Sequence, residues 1–521
     1  MPEMNGAQAL IRTLVACGVD TCFANPGTSE MHFIAALDDV PEMRGILVLF
    51  EGVATGAADG YARMAEKPAA TLLHLGPGLG NGLANLHNAR KANIPIVNIV
   101  GDHATYHARY DALLQSDIAT VARNVSTWIE TVERPEDTGS AAASAVAAAA
   151  GAPGQVATLI LPADACWLTG GVVAAPQTPP ARKIVDKDVI EGIAKRLLSG
   201  EPSLLFLGGS AMRADGLAAA GRIVAATGVS LLAETFPARV ERGAGIQPIP
   251  KLAYFAEGAI EQLADFRHLV LVDARSPVSF FAYPDKPSDL VPTGCEVQTL
   301  AADGDDAIAA LEALADAVDA ADQCETLAPA SRPERPTGPL TPDSIGQALG
   351  ALLPENAIVS EEAATSGLSL GLHTAGAPAH DWLTLTGGAI GQAMPVATGA
   401  AIACPDRKVV CLQADGGAMY TIQALWTQAR EGLDITTVIF NNRSYAILNI
   451  ELSRVGAKTG GTKAKEMLDL SRPDMDFVSI AQGLGVPATR ATTAEEFTTQ
   501  LEKALATSGP VLIEAMIPGI G

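Results

Sequence analysis

One stretch, residues 408–448, constrains the fold more than any other part of the chain. It reads KVVCLQADGGAMYTIQALWTQAREGLDITTVIFNNRSYAIL. An apolar run, Val409–Leu412, opens the stretch, and a β-branched run, Ile435–Phe440, lies near its end. Small and apolar residues at helical spacing fill the interval, so the pattern predicts a strand, a tight turn, a helix and a second strand.

Polar residues and glycines stand where these two strands end. Asp415 follows the first strand and Asn442 follows the second. Because the strands of a βαβ unit are parallel, both turns should lie at one edge of the sheet and face each other. An acid and an amide offer oxygen ligands for Mg²⁺, and Gly416 and Gly417 let backbone N–H groups approach a phosphate. Each turn alone is typical of an ordinary cap, but their spacing predicts a Mg²⁺–diphosphate site.

This stretch resembles the thiamine-diphosphate motif of the benzoylformate decarboxylase, pyruvate decarboxylase and acetolactate synthase superfamily. Within that group, the whole chain is most similar to the proteins that resemble the acetolactate synthase large subunit. The resemblance implies thiamine diphosphate and Mg²⁺ as cofactors, with Asp415, Asn442 and a backbone oxygen of Ser444 on the metal. Ala414 replaces the first glycine of the motif. Since alanine disfavours φ > 0, we expect Ala414 to keep a negative φ.

Strands and helices alternate along the whole chain. This predicts an α/β protein of three doubly wound parallel-sheet domains, with ligands at the carboxyl edges of the sheets. Two Pro-rich segments, Leu168–Pro180 and Ala328–Pro342, are typical of linkers. We therefore expect domains at residues 1–167, 184–325 and 340–521. The resemblance implies that the first binds the pyrimidine and the third binds the diphosphate and Mg²⁺.

The middle domain gives no positive sign of a cofactor. It contains GGSAMRADG at residues 208–216 but no G-x-G-x-x-G, so dinucleotide binding is not indicated. The equivalent domain carries FAD or a nucleotide in some relatives and is only structural in others. We favour the structural interpretation and leave FAD open.

Glu51 is the sharpest candidate in the first domain. It follows the apolar run Ile46–Phe50 and precedes a segment of small residues, so we expect it at a strand's carboxyl edge with little water around it. Burial there would disfavour its charged form. A solvated acid at a helix N-terminus is the alternative. The resemblance favours the first interpretation, because Glu51 matches the glutamate that bonds the aminopyrimidine N1′ and promotes loss of the thiazolium C2 proton.

Residues 387–391, GGAIG, match the family segment that holds the cofactor in its bent shape. The resemblance implies that the carbonyl of Gly388 binds the 4′-amine and that Ile390 lies between the two rings. For Ile390, plain core packing is an equally physical interpretation.

Four residues of the first domain are candidates for substrate chemistry. His74 ends a predicted strand and enters GPGLGNG, which we expect to be a glycine loop at residues 76–82. It matches the active-site histidine of benzoylformate-decarboxylase-like members, and a histidine can relay protons near neutral pH. Thr28 takes the position of a serine that binds the substrate carboxylate in that subgroup. His103 and His107 should lie near the same edge, where chemistry and packing both remain open.

Other positions depart from particular relatives. Pyruvate decarboxylase types carry a His-His pair where this chain has Tyr110 and Asp111, and a glutamate where it has Leu448. We therefore do not expect a proton relay of that type. Glu361 and Glu362 belong to a segment that replaces a Ser/Thr-rich stretch of benzoylformate decarboxylase, so the resemblance does not support hydroxyl contacts to the diphosphate there.

Composition and charge exclude some classes of protein and of binding partner. The 521 residues carry a net charge of −23, which argues against nucleic acid or an anionic membrane as a partner. Residues 1–16 do not form a basic, apolar leader, so we expect a cytoplasmic protein. The apolar run at Trp382–Cys404 is interrupted, so we expect no membrane span there. Scattered cysteines in apolar runs favour reduced thiols over disulfides: Cys17, Cys22, Cys166, Cys295, Cys324, Cys404 and Cys411.

The expected function is a thiamine-diphosphate and Mg²⁺ enzyme that decarboxylates a 2-oxo acid and joins the product to a second carbonyl, as acetolactate synthase does. Simple 2-oxo acid decarboxylation is the first alternative. Cleavage of a 2-hydroxyacyl thioester and a catalytically silent cofactor-binding protein are further alternatives. The expected partners are a small 2-oxo acid and further copies of the chain, as a homodimer or homotetramer with Glu51 of one chain facing Asp415 and Asn442 of another.

Overall fold

The computed structural model describes residues 3–323, 326–458 and 461–519. Three sheets organise these residues, each flanked by helices. The predicted domain ends at residues 1, 325 and 521, and Cys324, fall outside the described residues, and the domain boundaries stay predictions.

The first sheet has six parallel strands. They are β1 (Thr21–Asn25), β2 (Arg44–Leu47), β3 (Ala69–Leu73), β4 (Ile96–Asp102), β5 (Trp128–Thr131) and β6 (Val156–Pro162). Their order is β2-β1-β3-β4-β6-β5. The helices around them are α1 (Gly6–Ala16), α2 (Met31–Ala36), α3 (Glu51–Ala65), α4 (Leu75–Lys91), α5 (Ile118–Ala122), α6 (Thr138–Ala150) and α7 (Ala163–Trp167).

The middle segment supplies a four-stranded parallel sheet and one strand that leaves it. The strands are β7 (Ser203–Leu207), β8 (Ser230–Ala233), β9 (Arg239–Arg242), β10 (His268–Val272) and β11 (Glu296–Ala301). The sheet has the order β11-β10-β7-β8, without β9. Its helices are α8 (Lys187–Leu197), α9 (Ala214–Thr227), α10 (Ala256–Leu263) and α11 (Ala307–Ala317).

The third sheet has seven strands in the order β16-β17-β15-β14-β12-β13-β9. Its own strands are β12 (Ile358–Glu362), β13 (His380–Thr384), β14 (Val409–Ala414), β15 (Ile435–Asn441), β16 (Ala488–Ala491) and β17 (Val511–Met516). The helices are α12 (Pro342–Leu352), α13 (Leu370–His373), α14 (Ala393–Ala403), α15 (Asp415–Thr421), α16 (Ala424–Glu431), α17 (Ala446–Arg454), α18 (Thr462–Glu466), α19 (Phe477–Gly483) and α20 (Ala494–Leu505).

Strand β9 crosses from the middle segment to the edge of this third sheet. It pairs antiparallel with β13, from Arg242 opposite His380 to Arg239 opposite Leu383. Arg239 is buried and forms an ion pair with Asp381, which also pairs with Arg407. The sheet is therefore parallel except at this edge, where β9 covers the outer hydrogen-bonding groups of β13.

Helices α3 and α14 join the first and third sheets through small residues. A Cβ on Gly60 would lie 2.1 Å from the carbonyl oxygen of Val396, and one on Gly399 would lie 1.8 Å from that of Ala57. The two backbones therefore touch where larger residues could not fit. This explains the small-residue helix that follows Glu51 and buries the apolar run at Trp382–Cys404. Within the described ranges, no helix has the length and apolar character needed to cross a membrane.

Two local expectations were wrong. Residues 76–82, expected as a glycine loop, form the first turns of α4, because Leu75, Leu79 and Leu86 bury one face of that helix and packing outweighs the low helix propensity of glycine. Strand β2 ends at Leu47 instead of Phe50. Phe50 instead has extended backbone and precedes α3 as its N-cap residue.

Candidate active site

Three candidate residues of the first sheet follow neighbouring strands. Thr28 follows β1, Glu51 follows β2 and His74 follows β3. A Cβ on Gly78 would lie 3.0 Å from Glu51 Oε1 and 3.4 Å from His74 Cβ, so these two side chains are close neighbours. Thr28 is exposed, and its neighbour Gly27 packs against the imidazole, where a Cβ would lie 2.2 Å from Nδ1. The structure thus brings all three residues to one edge.

Glu51 is enclosed. It is the first residue of α3 and is 7% exposed. Asn81 Nδ2 donates to Glu51 Oε2 at 3.0 Å, and Asn85 Nδ2 donates to the Gly52 carbonyl at 2.8 Å. The carboxyl group therefore lies at a helix N-terminus, as expected for a helix-capping acid. It is also shielded from solvent, as expected for the acid that binds the aminopyrimidine.

Glu30 belongs to the same cluster and was missed by the sequence analysis. It is 1% exposed. Its Oε2 accepts a hydrogen bond from the Gly27 N–H at 2.7 Å and lies 2.8 Å from His74 Nδ1. Burial raises the pKa of Glu30, and the hydrogen bond from Gly27 and the contact with His74 oppose that rise. The available signal was an acid three residues after Gly27, a spacing typical of a helical cap.

His103 and His107 follow β4, one strand further along the sheet. Their ring centroids are 5.3 Å apart, and His107 lies 5.8 Å from the ring of Tyr110. The backbone N–H of His103 donates to Asp102 at 2.7 Å. These contacts favour packing for the pair, since His103, His107 and Tyr110 form a row of tilted rings.

The glycine-rich segment 387–391 follows β13 in the third sheet. Gly388 and Gly391 have φ of +78° and +92°, which glycine adopts without strain. Ile390 is half-buried. Glu362, at the end of β12, accepts hydrogen bonds from the backbone N–H groups that follow, those of Gly391 at 2.7 Å, Gln392 at 2.6 Å and Ala393 at 2.9 Å. Glu362 thus caps α14, a role that the sequence analysis did not foresee.

Helix α4 holds the same glycine-rich segment from the other side. Asn88 Nδ2 donates to the Ala389 carbonyl at 2.8 Å, and the Ala389 N–H donates to Asn88 Oδ1 at 3.1 Å. His87 Nε2 lies 3.2 Å from the Gly387 carbonyl, and Asn85 Nδ2 donates to the Gly391 carbonyl at 3.4 Å. The first and third units of one chain are therefore linked directly at this segment.

The turns after β14 and β15 meet as the sequence predicted. Asp415 Oδ1 accepts the Gly416 N–H and Oδ2 accepts the Arg443 N–H, both at 2.7 Å. Asn442 Oδ1 accepts the Ser444 N–H at 2.9 Å. Ala414 has φ −70°, so the expected negative φ is confirmed.

A divalent cation fits this corner. Asp415 is 2% exposed, and burial raises its pKa to about 6. Among the described lysines and arginines, none forms an ion pair with it, so backbone N–H groups are the donors that face its carboxyl group. A carboxylate, an amide oxygen and a backbone oxygen are the hard ligands that Mg²⁺ prefers. No cluster of three or more His, Cys, Asp or Glu is found in the described ranges, so further ligands would come from a bound diphosphate and water.

Gly416 and Gly417 have close neighbours that leave no room for a side chain. A Cβ on Gly416 would lie 2.4 Å from Tyr445 Cε1, and one on Gly417 would lie 2.4 Å from Glu362 Oε1. Both glycines are therefore required by packing, and their contact with a phosphate stays a prediction.

An aromatic cluster from the middle segment stands beside Gly388. A Cβ on Gly388 would lie 2.8 Å from Phe280 Cζ. The ring of Phe280 lies 4.9 Å from Phe281, 5.3 Å from Tyr254 and 5.9 Å from Phe236. Phe280 and Phe281 are about half exposed, so this aromatic cluster forms an open apolar wall next to the glycine-rich segment.

The carboxyl edge of the middle sheet is occupied by acids. Asp273 Oδ2 accepts the Ser210 N–H at 2.7 Å and its hydroxyl at 2.8 Å. Glu234 Oε1 accepts the Gly209 N–H at 3.4 Å, and burial raises its pKa to about 7. A nucleotide phosphate would bind at this edge, so the two carboxyl groups support the structural interpretation of the middle domain.

Comparisons with known proteins agree with this geometry. The chain matches the family descriptions "Thiamine pyrophosphate enzyme, N-terminal TPP binding domain" over residues 4–123 and "Thiamine pyrophosphate enzyme, C-terminal TPP binding domain" over residues 369–515. The first match includes Thr28, Glu51 and His74, and the second includes Asp415 and Asn442.

Relatives cover the whole chain. The Mycobacterium tuberculosis protein named "Putative acetolactate synthase large subunit IlvX" is 61% identical over 99% of this chain and 100% of its own. Benzoylformate decarboxylase of Pseudomonas aeruginosa is 30% identical over 95% and 96%. The structure of a thiamine diphosphate-dependent 4-hydroxybenzoylformate decarboxylase from Rhodococcus jostii RHA1 superposes with a TM-score of 0.85 at 25% identity, over 99% of both chains. The chain therefore belongs to the thiamine pyrophosphate enzyme family.

Proposed function

We propose that this enzyme uses thiamine diphosphate and Mg²⁺ to decarboxylate a 2-oxo acid and to join the retained fragment to a second carbonyl compound, as in acetolactate synthesis. The observation that carries the proposal is the buried carboxyl group of Glu51 beside His74 at one sheet edge. The 61% identity to a protein named as an acetolactate synthase large subunit supports the carboligation step.

Each residue has a proposed role. The cofactor supplies a carbon nucleophile and an electron sink when bound. Glu51 would hold a proton at the aminopyrimidine N1′, and its enclosure keeps water from competing for that proton. Thr28, which is exposed at the same edge, would bind the substrate carboxylate. His74 would exchange protons with the substrate oxygen.

The third sheet would anchor the cofactor. Asp415, Asn442 and the backbone oxygen of Ser444 would hold Mg²⁺, while the N–H groups of Gly416 and Gly417 would face the diphosphate. The carbonyl of Gly388 and the side chain of Ile390 would bind and bend the cofactor. The connection from α4 to this segment supports that role, because it fixes the backbone that would touch both rings.

Simple decarboxylation is the second candidate. Here His74 would deliver a proton to the carbanion and no second carbonyl would be needed. The aromatic cluster beside Gly388 favours a substrate with an aromatic side chain. The Rhodococcus jostii protein is named for such a substrate, 4-hydroxybenzoylformate. This observation gives the second candidate its own support.

We also propose that the active unit is a homodimer or homotetramer in the cytoplasm. Large apolar side chains stay exposed near the candidate edges, including Leu49 at 45%, Tyr420 at 52% and Leu448 at 44%. A second copy that covered them would set Glu51 of one chain against Asp415 and Asn442 of the other. The six described cysteines are free thiols, which supports a reducing compartment.

The test is CO₂ release from a panel of 2-oxo acids, with and without thiamine diphosphate and Mg²⁺, followed by product analysis. A 2-hydroxy ketone or 2-acetohydroxy acid as product is expected for carboligation, and an aldehyde for simple decarboxylation. CO₂ release from none of the acids, with cleavage of a 2-hydroxyacyl thioester instead, would favour the lyase alternative. No turnover despite cofactor binding would favour a silent protein.

A further inference from the structure

The side chain of Glu30 makes an unusual set of contacts beside the candidate catalytic histidine. Its Oε2 accepts the Gly27 N–H at 2.7 Å and lies 2.8 Å from His74 Nδ1, while its Oε1 is buried and has no hydrogen-bond partner among the residues that the structure describes. No lysine or arginine forms an ion pair with Glu30 in the described ranges; its ion-pair contact is with His74. A buried carboxyl group with one unmade bond costs stability, so local packing alone does not account for it.

Two glycines border the pair formed by Glu30 and His74. A Cβ on Gly101 would lie 1.7 Å from Glu30 Oε1, and a Cβ on Gly27 would lie 2.2 Å from His74 Nδ1. Both positions are glycine, so the backbone makes room for the carboxyl group on one side and for the imidazole on the other. Glu30 and His74 therefore lie between the ends of β1 and β4, and His74 itself follows β3.

Hydrogen-bond donors and acceptors determine which nitrogen of His74 is used. Oε2 already accepts a hydrogen bond from the Gly27 N–H. A proton on Oε1 would find no acceptor among the described residues. When Glu30 is ionised, its oxygens can only accept, so Oε2 accepts from both Gly27 N–H and His74 Nδ1–H. With the proton on Nδ1, Nε2 carries the free lone pair.

We propose that Glu30 is a positioning residue that holds His74 in the Nδ1–H tautomer, so that Nε2 can take a proton from the substrate and return it. The inference rests on the proposed function for the role of His74. In the step it supports, the hydroxyl group formed from the substrate's keto oxygen would lose its proton to Nε2, the electron pair of the broken O–H bond would form the C=O bond of the departing product, and the imidazolium that forms would face the Glu30 carboxylate. The same proton would return to the keto oxygen of the next substrate molecule, so charge and protons balance without a further reactant.

A purely structural role for Glu30 is the competing explanation, because the bond to Gly27 also caps the turn at Thr28–Glu30. Two variants separate the roles. Glu30→Ala removes the acceptor for Nδ1–H, whereas Glu30→Gln keeps an amide oxygen of the same reach. Glu201→Gln is the matched control, because Glu201 Oε2 lies 2.8 Å from His268 Nε2 at the amino end of the middle sheet, away from the candidate site.

The first readout is the tautomer itself, measured by NMR on protein with ¹⁵N-labelled histidine, with the His74 signals assigned from a His74→Gln variant. We expect Nδ1–H in the wild type and in Glu30→Gln, and a shift to Nε2–H or a mixture in Glu30→Ala. Finding Nε2–H in the wild type would overturn the proposal without any variant, so the measurement does not depend on how Glu30→Ala folds. An unchanged tautomer in folded Glu30→Ala would also overturn it.

The second readout is CO₂ release from the best 2-oxo acid. We expect kcat of Glu30→Ala to fall about tenfold to a hundredfold with little change in KM or in cofactor affinity, and Glu30→Gln to recover part of that loss. Glu201→Gln should match the wild type. Equal kcat in Glu30→Ala and wild type would overturn the proposal. If the wild type releases no CO₂, the proposed function fails, whereas the tautomer measurement still decides the role of Glu30.

Discussion

Asp415 is the residue on which cofactor binding should depend most. Its buried carboxyl group has no cationic side chain to balance it among the described residues, so a metal ion and the anionic diphosphate need each other there. We expect Asp415→Ala to bind thiamine diphosphate at least tenfold more weakly than the wild type with Mg²⁺ present. We also expect the wild type to lose binding in excess chelator. Isothermal titration calorimetry measures both.

The control for this change is Asp434→Ala. Asp434 precedes β15 at the opposite end of the strand and pairs with Lys408 at 2.5 Å. Its loss should leave cofactor affinity within about twofold. Equal affinity in Asp415→Ala and wild type would remove the metal site from this corner.

Glu51 should matter at a different step. Glu51→Gln keeps the shape of the side chain and its contact with Asn81, so the variant should bind the cofactor almost normally. Exchange of the cofactor C2 proton, followed by NMR, should slow by about 10²–10⁴-fold, the usual contribution of an acid–base group. The loss should appear with every 2-oxo acid tested. Exchange at the wild-type rate would show that another group activates the cofactor.

The residues that could be predicted from the sequence are those that directly follow an apolar run. Asp415, Asn442 and Glu51 each stand at the end of an apolar run, and the parallel arrangement of neighbouring strands brings such positions together. Glu30 and Glu362 could not be found this way, because their partners come from distant segments: His74 for one and residues 391–393 for the other. Only the folded chain brings these groups into contact.

At the scale of elements, helix α4 connects the first domain to the glycine-rich segment of the third. Asn88 makes two hydrogen bonds with Ala389 in the glycine-rich segment. We expect Asn88→Ala to weaken cofactor binding and lower kcat, by about tenfold to a hundredfold in kcat/KM, because small displacements of positioning groups are costly. Steady-state kinetics over a range of cofactor concentrations measures the effect.

Asn124→Ala is the matched control, since Asn124 is exposed and donates to the Val121 carbonyl near α5, away from the glycine-rich segment. It should behave as the wild type. An Asn88→Ala variant with wild-type kinetics would mean that the glycine-rich segment holds its shape without α4.

Strands and helices that a local run of apolar and turn residues indicates were predicted well. Elements that depend on packing against distant side chains were not. The unit β14-α15-α16-β15 follows from apolar runs and turn residues, although no feature of the pattern indicates that its helix is broken in two. The first turns of α4 were missed because glycines are poor helix formers, and distant side chains supply the burial that makes them helical. The aromatic cluster was missed because its members come from three separate parts of the middle segment.

At the scale of the whole molecule, the proposed dimer can be tested by complementation. If the cofactor lies between two chains, a hybrid of Glu51→Gln and Asp415→Ala subunits contains one site with both residues intact. We expect a mixture of the two inactive variants to recover up to about a quarter of wild-type activity as subunits exchange. Each variant alone should stay inactive. A fully active monomer in sedimentation experiments would rule out the shared site.

The middle sheet should give the protein a pH-dependent stability. Burial raises the pKa of Glu234 to about 7, above its value of about 4.3 in an unfolded chain. Between these values the unfolded state ionises while the folded state stays neutral. The contribution of Glu234 to the free energy of unfolding is therefore complete below about pH 4 and is lost as the pH rises through about 7.

A Glu234→Gln variant stays neutral at every pH. We expect its free energy of unfolding at pH 8 to exceed that of the wild type by at most about 4 kcal/mol, with a smaller difference at pH 5. Calorimetry at the two pH values measures the difference. A difference independent of pH would contradict the assignment.

Strand β9 makes the protein hard to divide. Residues 239–242 belong to the middle segment by chain order and to the third sheet by hydrogen bonding. A fragment that starts after the second linker would leave the outer side of β13 without its partner, and such open strands pair with other chains and aggregate. Exchange of middle segments between relatives would likewise need to transfer β9 together with a partner for Asp381. Recombination within this family is therefore expected to succeed at breakpoints that keep residues 239–242 and 380–384 from one parent.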